Sequence, residues 1–213
     1  MEVTGDASLW PGLFDDQFMS QIIGLVLDGW EAFDKPVRNE REVPISRRFC
    51  CSLRQHRNRR LLPFRIEWES PELDLGSSEE LGRIDLRFSH SPNPREDVYF
   101  AFECKRLNVV DSAGRRRSLA GKYVKDGMMR FVEGKYARNL DKGGMLGYVM
   151  DGDVAGAIGL VGESITERRV ELRCRNGGLQ PSSIRPLDSR VKETLHSLDS
   201  GRFMIHHLFL AIG

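Results

Sequence analysis

The stretch 98–105, which reads Val-Tyr-Phe-Ala-Phe-Glu-Cys-Lys, constrains the fold more than any other segment of this sequence. It begins as an almost continuous apolar run, so a strand formed there carries apolar side chains on both faces. Strands of that kind lie inside a sheet that other elements cover on both sides. The sequence therefore predicts an α/β fold in which helices flank a mixed central β-sheet.

Periodicity along the rest of the chain agrees with this class of fold. Apolar residues at helical spacing predict helices over about 14–33, 119–139 and 154–167. Alternating or apolar runs predict strands at 61–69, 83–90, 98–107, 145–150 and 202–210, with one or two short strands inside 41–55. We further expect a strand at 170–174 and a short helix at 191–198.

The 213 residues contain no internal repeat and no low-complexity linker, so we expect a single domain over 1–213. Its core spans about 14–152 in the order αβββαβ. Residues 153–213 form a C-terminal extension with an extra helix and strand.

Targeting signals and cysteines place the protein in a broad class. No apolar run reaches the roughly eighteen residues of a membrane span, and no secretion signal is visible, which predicts a cytoplasmic protein without a membrane partner. The four cysteines form no C-x-x-C pair, so reduced thiols are expected.

Basic residues are concentrated in one part of a nearly neutral chain. Residues 35–65 contain ten basic residues against two acidic ones, although the net charge of the whole chain is only +1. Such a block can form a positive surface that meets phosphates, with Arg57, Arg59 and Arg60 as candidates. The alternative is a solvated hairpin that happens to be rich in arginine.

Charged residues that suit phosphodiester chemistry occur on two neighbouring strands. In the strand at 83–90, period two puts Ile84, Leu86 and Phe88 on one face and Asp85 on the other. At the end of the strand at 98–107, the same rule puts Glu103 and Lys105 on one side and Cys104 on the opposite side. Asp85, Glu103 and Lys105 can therefore converge.

This group of side chains suits a magnesium site. Two carboxylates from adjacent strands, Asp85 and Glu103, can hold Mg²⁺, and the backbone carbonyl of Cys104 between them can add a ligand. The ion polarises a phosphate and acidifies a bound water, while the Lys105 ammonium positions that water or stabilises the developing charge. The competing reading is an ion-paired strand end without catalysis.

Asp85 and the Glu103-Cys104-Lys105 triplet resemble the motif of the PD-(D/E)XK nuclease superfamily, which includes many restriction enzymes and Holliday-junction resolvases. The resemblance covers roughly residues 14–152, and it implies a restriction-endonuclease-like fold, Mg²⁺ dependence with Mn²⁺ as a substitute, and DNA as the usual substrate. A proline can precede the first acid in this family, and here that position is Ile84.

The resemblance also implies an acidic metal ligand from the first helix. Glu31 is the best-placed candidate for this role. The competing carboxylates are Asp15, Asp16, Asp28, Glu67 and Glu69.

Three further patterns contain residue types that occur in binding or metal sites. Lys122, Lys125 and Arg130 in the predicted helix after the catalytic strand can reach phosphates, or they can form the solvated face of that helix. A second Glu-x-Lys triplet at 133–135 falls on the same predicted helix, where residues two apart point in different directions. His206 and His207 are strand neighbours that point to opposite faces, so we expect structural roles for them.

The sequence thus predicts a Mg²⁺-dependent DNA endonuclease, such as the cutting subunit of a restriction or anti-phage defence system. A homodimer or a larger defence complex is the expected assembly, because no nucleotide-triphosphate motor or DNA-reading module is recognisable. The alternative is a catalytically inactive module of the same fold that binds nucleic acid or a partner protein.

Overall fold

The structure, a computed structural model, describes residues 16–74, 76–91, 97–111, 113–175 and 177–212. Within these ranges no helix is both long and apolar enough to cross a membrane. Residues 14 and 15 of the first predicted helix, including the candidate Asp15, lie outside the described residues, as does the side chain of Asp16.

The described helices are α1 (Asp16–Glu31), α2 (Glu42–Arg59), α3 (120–132) and α4 (Val154–Glu167). Helix α3 changes its winding along its length: Ala120–Lys122 is α-helical, Tyr123–Met128 is π-helical, and Met129–Val132 is α-helical again. The predicted helix at 154–167 is confirmed. The helix predicted at 119–139 stops at Val132, because Gly134 has a φ of +66° and turns the chain away.

The strands form one sheet of seven and a separate two-stranded ladder. The large sheet contains β1 (Phe64–Leu73), β2 (Glu80–His90), β3 (Phe100–Leu107), β6 (Lys142–Val149), β7 (Gln180–Pro181), β8 (Val191–Leu198) and β9 (Gly201–Ala211). The ladder pairs β4 (Val109–Val110) with β5 (Arg116–Arg117).

Strand order in the large sheet is β1-β2-β3-β6-β9-β8-β7. Strands β3, β6 and β9 run parallel in the middle, whereas β1–β2, β2–β3, β8–β9 and β7–β8 are antiparallel pairs. The α/β class with a mixed sheet between helices is therefore confirmed. The chain after residue 152 contributes three strands to this sheet, and β9 lies directly beside β6.

Alternate residues of the central strands pack into two separate cores. On β6, Leu146 and Tyr148 join a cluster that contains residues of α1 and α2, such as Trp30 and Phe49. Met145 and Val149 join a second cluster, which contains residues of α3 and α4. We call these sides of the sheet the α1/α2 face and the α3/α4 face, and their double burial explains why β3 is so apolar.

The short strands predicted inside 41–55 are wrong, because this region forms helix α2. Ile45, Phe49 and Leu53 lie four residues apart and are fully buried, so they form one helical stripe against the sheet. The loose alternation of polar and apolar residues was misleading, since basic residues occupy the solvated side of this helix.

Two predictions in the C-terminal extension are also wrong. Residues 191–198 form strand β8 instead of a short helix, because they pair with β9 along their whole length. Residues 170–174 form turns instead of a strand, and Cys174 makes only an isolated bridge to His196. Within the described residues the extension holds one helix and three strands, of which the helix at 154–167 and the strand at 202–210 were expected.

Candidate metal and active site

Strands β2 and β3 separate at the position of Asp85. Their pairing runs from Phe88↔Phe100 to Leu86↔Phe102 and goes no further. In place of the next backbone pair, the Cys104 N–H donates a hydrogen bond to Asp85 Oδ2 at 2.7 Å. The carboxylate of Asp85 is therefore anchored between the two strands, directly beside the Glu103-Cys104-Lys105 triplet.

The irregularity at Asp85 continues into β1 and changes the face of β2. Glu69 of β1 lies opposite Asp85, because its neighbours Trp68 and Ser70 pair with Leu86 and Ile84. Glu69 adopts a left-handed φ of 48°. Leu86 and Phe88 pack on the α1/α2 face, but Ile84 packs in the cluster of the α3/α4 face. The expectation that Ile84 shares a face with Leu86 and Phe88 is therefore wrong, because the strand is not regular at Asp85.

The Lys105 ammonium is held by three oxygen atoms. Nζ donates to Glu103 Oε1 at 2.6 Å, to the Cys104 carbonyl at 2.9 Å and to Glu42 Oε1 at 3.2 Å. The predicted convergence of Glu103 and Lys105 on one side is confirmed by this contact. Cys104 turns its side chain into the other core, where Tyr148 Oη contacts Sγ at 3.3 Å.

Glu42, at the start of α2, is the helix carboxylate of this site. Its Oε1 binds Lys105, and its Oε2 accepts the Arg106 N–H at 3.0 Å, so it ties the end of β3 to α2. Glu42 is not among the residues predicted for the site, because short strands were expected in the segment 41–55 that contains it. The four-residue spacing of Ile45, Phe49 and Leu53 was the available signal.

Glu31, the carboxylate proposed from the first helix, lies elsewhere. It accepts a hydrogen bond from Arg190 Nη1 at 2.5 Å, and its side chain is 62% exposed. The backbone of Arg190 binds Phe209 on β9, and β6 separates β9 from β3. The expectation for Glu31 is therefore wrong: the helix carboxylate beside Lys105 is Glu42, which contacts the lysine, and the competing Asp28 is occupied by an ion pair with Arg60.

Burial and like charge perturb the acids of this site. Burial, and then the charge of Glu103, raise the pKa of the Asp85 carboxyl to about 8. Burial also raises the pKa of Glu103, although Lys105 and Arg130 oppose that shift. Burial by itself would lower the pKa of Lys105, but Glu103, Glu42 and Asp85 outweigh it and hold that pKa above its usual value.

The oxygen atoms present fit a small divalent cation. Glu103 Oε2 is buried without a hydrogen-bond partner, while Oε1 of the same carboxylate is taken by Lys105. With Asp85 and the Cys104 carbonyl it supplies the hard oxygen donors that Mg²⁺ prefers. In the described part of the chain no three His, Cys, Asp or Glu side chains form a metal-binding group. The candidate site thus rests on two carboxylates, a carbonyl and water, which is a normal shell for Mg²⁺.

The basic residues proposed to bind nucleic acid are not gathered at this site. Arg57 donates to the Phe64 carbonyl, and Arg60 pairs with Asp28 at 2.7 Å, both at the C-terminal end of α2. Arg59 ends the same helix, which at 18 residues places it roughly 27 Å from Glu42. These three residues are therefore remote from Lys105.

On α3, the proposed basic residues differ in their placement. Lys122 and Lys125 are exposed, and neither makes a contact with Asp85 or Glu103 that the structure describes. Arg130 lies over the ring of Tyr136 at 5.9 Å, and its charge acts on Glu103. Of the six basic candidates, the structure brings Arg130 to the site.

Gly127 allows α3 to approach strands β3 and β6 closely. A Cβ added there would lie 2.4 Å from Met145 Cε and 3.5 Å from Lys105 Cγ. A side chain at this position would therefore displace either the core or the stem of Lys105. Nothing in the one-dimensional pattern singled out this glycine, because the contact depends on how α3 packs across β3 and β6.

The adjacent histidines have the structural placement that the sequence predicted. His206 lies near Phe100, a residue of the α1/α2 face, whereas His207 bonds to Tyr123 of α3. Both rings are buried, and they cannot chelate one ion because they point to opposite faces of β9.

The site combines two buried acids of raised pKa, one carboxylate oxygen without a partner, and an ammonium group held in place. Such an arrangement can bind a hard cation and orient a water molecule beside it. Comparisons with models of known families, with curated proteins and with solved structures give no match for this chain.

Proposed function

We propose that this chain is a Mg²⁺-dependent DNA endonuclease of the restriction-endonuclease-like kind, acting in the cytoplasm as part of a restriction or anti-phage defence system. The observation that carries the proposal is the arrangement of side chains at the point where β2 and β3 cease to pair. There the Asp85 carboxylate binds the Cys104 N–H, Glu103 Oε1 binds the Lys105 ammonium, and Glu103 Oε2 is buried without a partner. Two buried carboxylates so close together are costly as anions, and either a proton or a bound cation such as Mg²⁺ would neutralise that charge.

Each residue has a distinct role in this proposal. Asp85, Glu103 through Oε2, and the Cys104 carbonyl hold the ion, for which Mn²⁺ can substitute. When bound, the ion polarises the scissile phosphate and acidifies a bound water. Lys105 orients that water and stabilises negative charge on the phosphate, since its Nζ is held in place by Glu103 and Glu42. Arg130 can neutralise part of the phosphate charge from α3.

A cleavage assay with two matched lysine variants tests the proposal. Supercoiled, linear and single-stranded DNA are incubated with the protein in Mg²⁺, in Mn²⁺ and in EDTA. We expect metal-dependent cleavage that falls by about 10²–10³ in Lys105→Ala, the usual loss for removing one group that stabilises transition-state charge. Lys135→Ala is the control. Lys135 belongs to the second Glu-x-Lys triplet, at 133–135, and pairs with Glu133 at the surface. Equal cleavage by wild type and Lys105→Ala would contradict the proposal.

The second candidate function is an inactive module of this fold that binds nucleic acid or a partner protein. The observation that favours it is the closed set of ion pairs around Lys105, which satisfies the ammonium without any ligand. Calorimetric titration with Mn²⁺ separates the two functions. A nuclease site binds the ion and loses it in Asp85→Asn, whereas an ion-paired strand end gives no binding in either protein.

A further inference from the structure

A chain of buried hydrogen bonds crosses the α3/α4 face of the sheet. Tyr123 Oη lies 2.9 Å from His207 Nδ1, and His207 Nε2 lies 2.9 Å from Thr194 Oγ1. Thr194 Oγ1 is also 2.7 Å from His196 Nε2, and His196 Nδ1 is 2.8 Å from the Leu172 carbonyl. All four side chains are fully or almost fully buried. The chain therefore joins α3 to strands β8 and β9 without contact with solvent.

The chemistry of its members gives this chain one direction. The Leu172 carbonyl can only accept, so His196 Nδ1 carries a proton and the Nε2 of the neutral ring accepts. Thr194 has one hydroxyl proton, which it donates to His196, so it accepts from His207 Nε2–H. The Nδ1 of neutral His207 then accepts from the Tyr123 hydroxyl. Burial lowers the pKa of both histidines, in agreement with two neutral rings in opposite tautomers.

One turn of α3 lies against Lys105 and against the strand neighbour of that lysine. Tyr123 begins the π-helical turn of α3, and its ring covers Gly147, where an added Cβ would lie 3.4 Å from Cε2 of the ring. Gly147 is the direct neighbour of Lys105 in the β3–β6 pairing. In the same turn Gly127 packs against the stem of Lys105. The turn thus touches the lysine and its strand neighbour.

We propose that Tyr123, His207, Thr194 and His196 are positioning residues, whose hydrogen-bond chain fixes the π-helical turn of α3 and thereby the side chain of Lys105. Lysine has a long rotatable stem, so acceptors at its ammonium alone leave the stem free to change rotamer. The packed turn removes that freedom. The catalytic meaning of this device rests on the proposed nuclease function, whereas the fixing of Lys105 does not.

Imidazole ¹⁵N spectra at neutral pH test the direction of the chain without any activity. We expect the Nδ1–H tautomer for His196 and the Nε2–H tautomer for His207. In Thr194→Val we expect His196 to keep the Nδ1–H tautomer, which the Leu172 carbonyl fixes, and His207 to lose its single tautomer, because valine can neither donate to nor accept from a ring. Thr194→Ser should restore it, since the hydroxyl returns. The opposite tautomer at His207, or a protonated ring at either histidine, would overturn the proposal.

The link to Lys105 is tested with two tyrosine variants. Tyr123→Phe keeps the ring but removes the chain's first donor, whereas Tyr99→Phe removes a buried hydroxyl that bonds Glu72 and Ala137 instead. In Tyr123→Phe we expect amide exchange in 120–132 to rise about tenfold, as for one buried hydrogen bond. The Lys105 ammonium resonance should shift, and kcat should fall about tenfold with little change in KM, because the lysine is misplaced. Tyr99→Phe should retain the wild-type values.

Two results of this experiment have separate meanings. If the Lys105 resonance stays unchanged in both Tyr123→Phe and Thr194→Val, the chain is only a stabilising element and the positioning proposal fails. If the wild type binds and cleaves nothing but the resonance shifts as expected, the nuclease function fails while the positioning of Lys105 stands.

Discussion

Replacing Asp85 by asparagine should stabilise the metal-free protein at neutral pH. Asparagine keeps an oxygen that accepts the Cys104 N–H, but it carries no charge that must be buried beside Glu103. The pKa of Asp85 is raised from 3.8 to about 8 in the folded protein. A raised folded-state pKa means that stability is fully present below pH 3.8 and is lost as the pH rises towards about 8.

The size of this effect follows from the same values. Between the unfolded pKa of 3.8 and pH 7 lie about three pH units, each worth about 1.4 kcal/mol of free energy. The full penalty at pH 7 is therefore about 4 kcal/mol. Part of this penalty belongs to Glu103, whose titration is linked to that of Asp85. Asp85 also keeps some exposure to water, which screens its charge. We expect Asp85→Asn to raise the free energy of unfolding at pH 7 by about 2–4 kcal/mol.

Urea denaturation in EDTA at pH 5, 6, 7 and 8 measures this prediction. The wild type should lose stability across the series, and Asp85→Asn should lose much less. Asp34→Asn is the control, because Asp34 is exposed and has no side-chain bond that the structure describes. Added Mn²⁺ should stabilise the wild type much more than Asp85→Asn, since the variant lacks one of the two carboxylates proposed to hold the ion. An Asp85→Asn variant that is less stable than the wild type at pH 7, or that keeps its pH slope, would refute the reasoning.

Three further predictions concern the surroundings of this site. Glu42→Gln should lower Mg²⁺-dependent cleavage about tenfold, because it weakens one of the charged contacts that hold Lys105; unchanged rates would remove Glu42 from the site. Gly127→Ala should lower the free energy of unfolding by about 1–3 kcal/mol through overpacking, whereas Gly121→Ala, where an added Cβ meets nothing within 4 Å, should be neutral or slightly stabilising in the same urea titration. Joint replacement of Arg57 and Arg60 by alanine should lower the melting temperature, because both side chains bind other groups of the protein. For the same reason the salt dependence of DNA binding should stay unchanged. A weaker salt dependence would indicate that these arginines contact the phosphate backbone.

The part of the candidate site that lies on a single strand could be predicted from the sequence. Period two is a local property of extended backbone, so the common side of Glu103 and Lys105 could be predicted without any neighbour. Asp85 was found by its place on the adjacent strand. The face of Ile84 was not predictable, since the break in regular pairing involves Glu69 on a third strand.

Long-range contacts decided the remaining parts of the site. Glu42 reaches Lys105 from 63 positions away in the chain, and Tyr123 reaches His207 across 84 positions. No local pattern encodes such distances. The basic residues of α2 also interrupted its apolar pattern in the sequence, so the carboxylate of Glu42 in its first turn, which contacts Lys105, was not predicted.

The sequence by itself determined the strongly periodic elements: the apolar strand β3, helix α4 and the alternation that sets Glu103 and Lys105 on one side of β3. Those features follow from side-chain direction in regular backbone, which is fixed over a few residues. Only the tertiary structure decided that 191–198 is a strand and that β9 lies beside β6. The same holds for the approach of Gly127 to Lys105. Each of these features depends on contacts with segments that are distant in the sequence. A segment whose local pattern allows either a helix or a strand adopts the one for which neighbouring elements supply hydrogen bonds and packing.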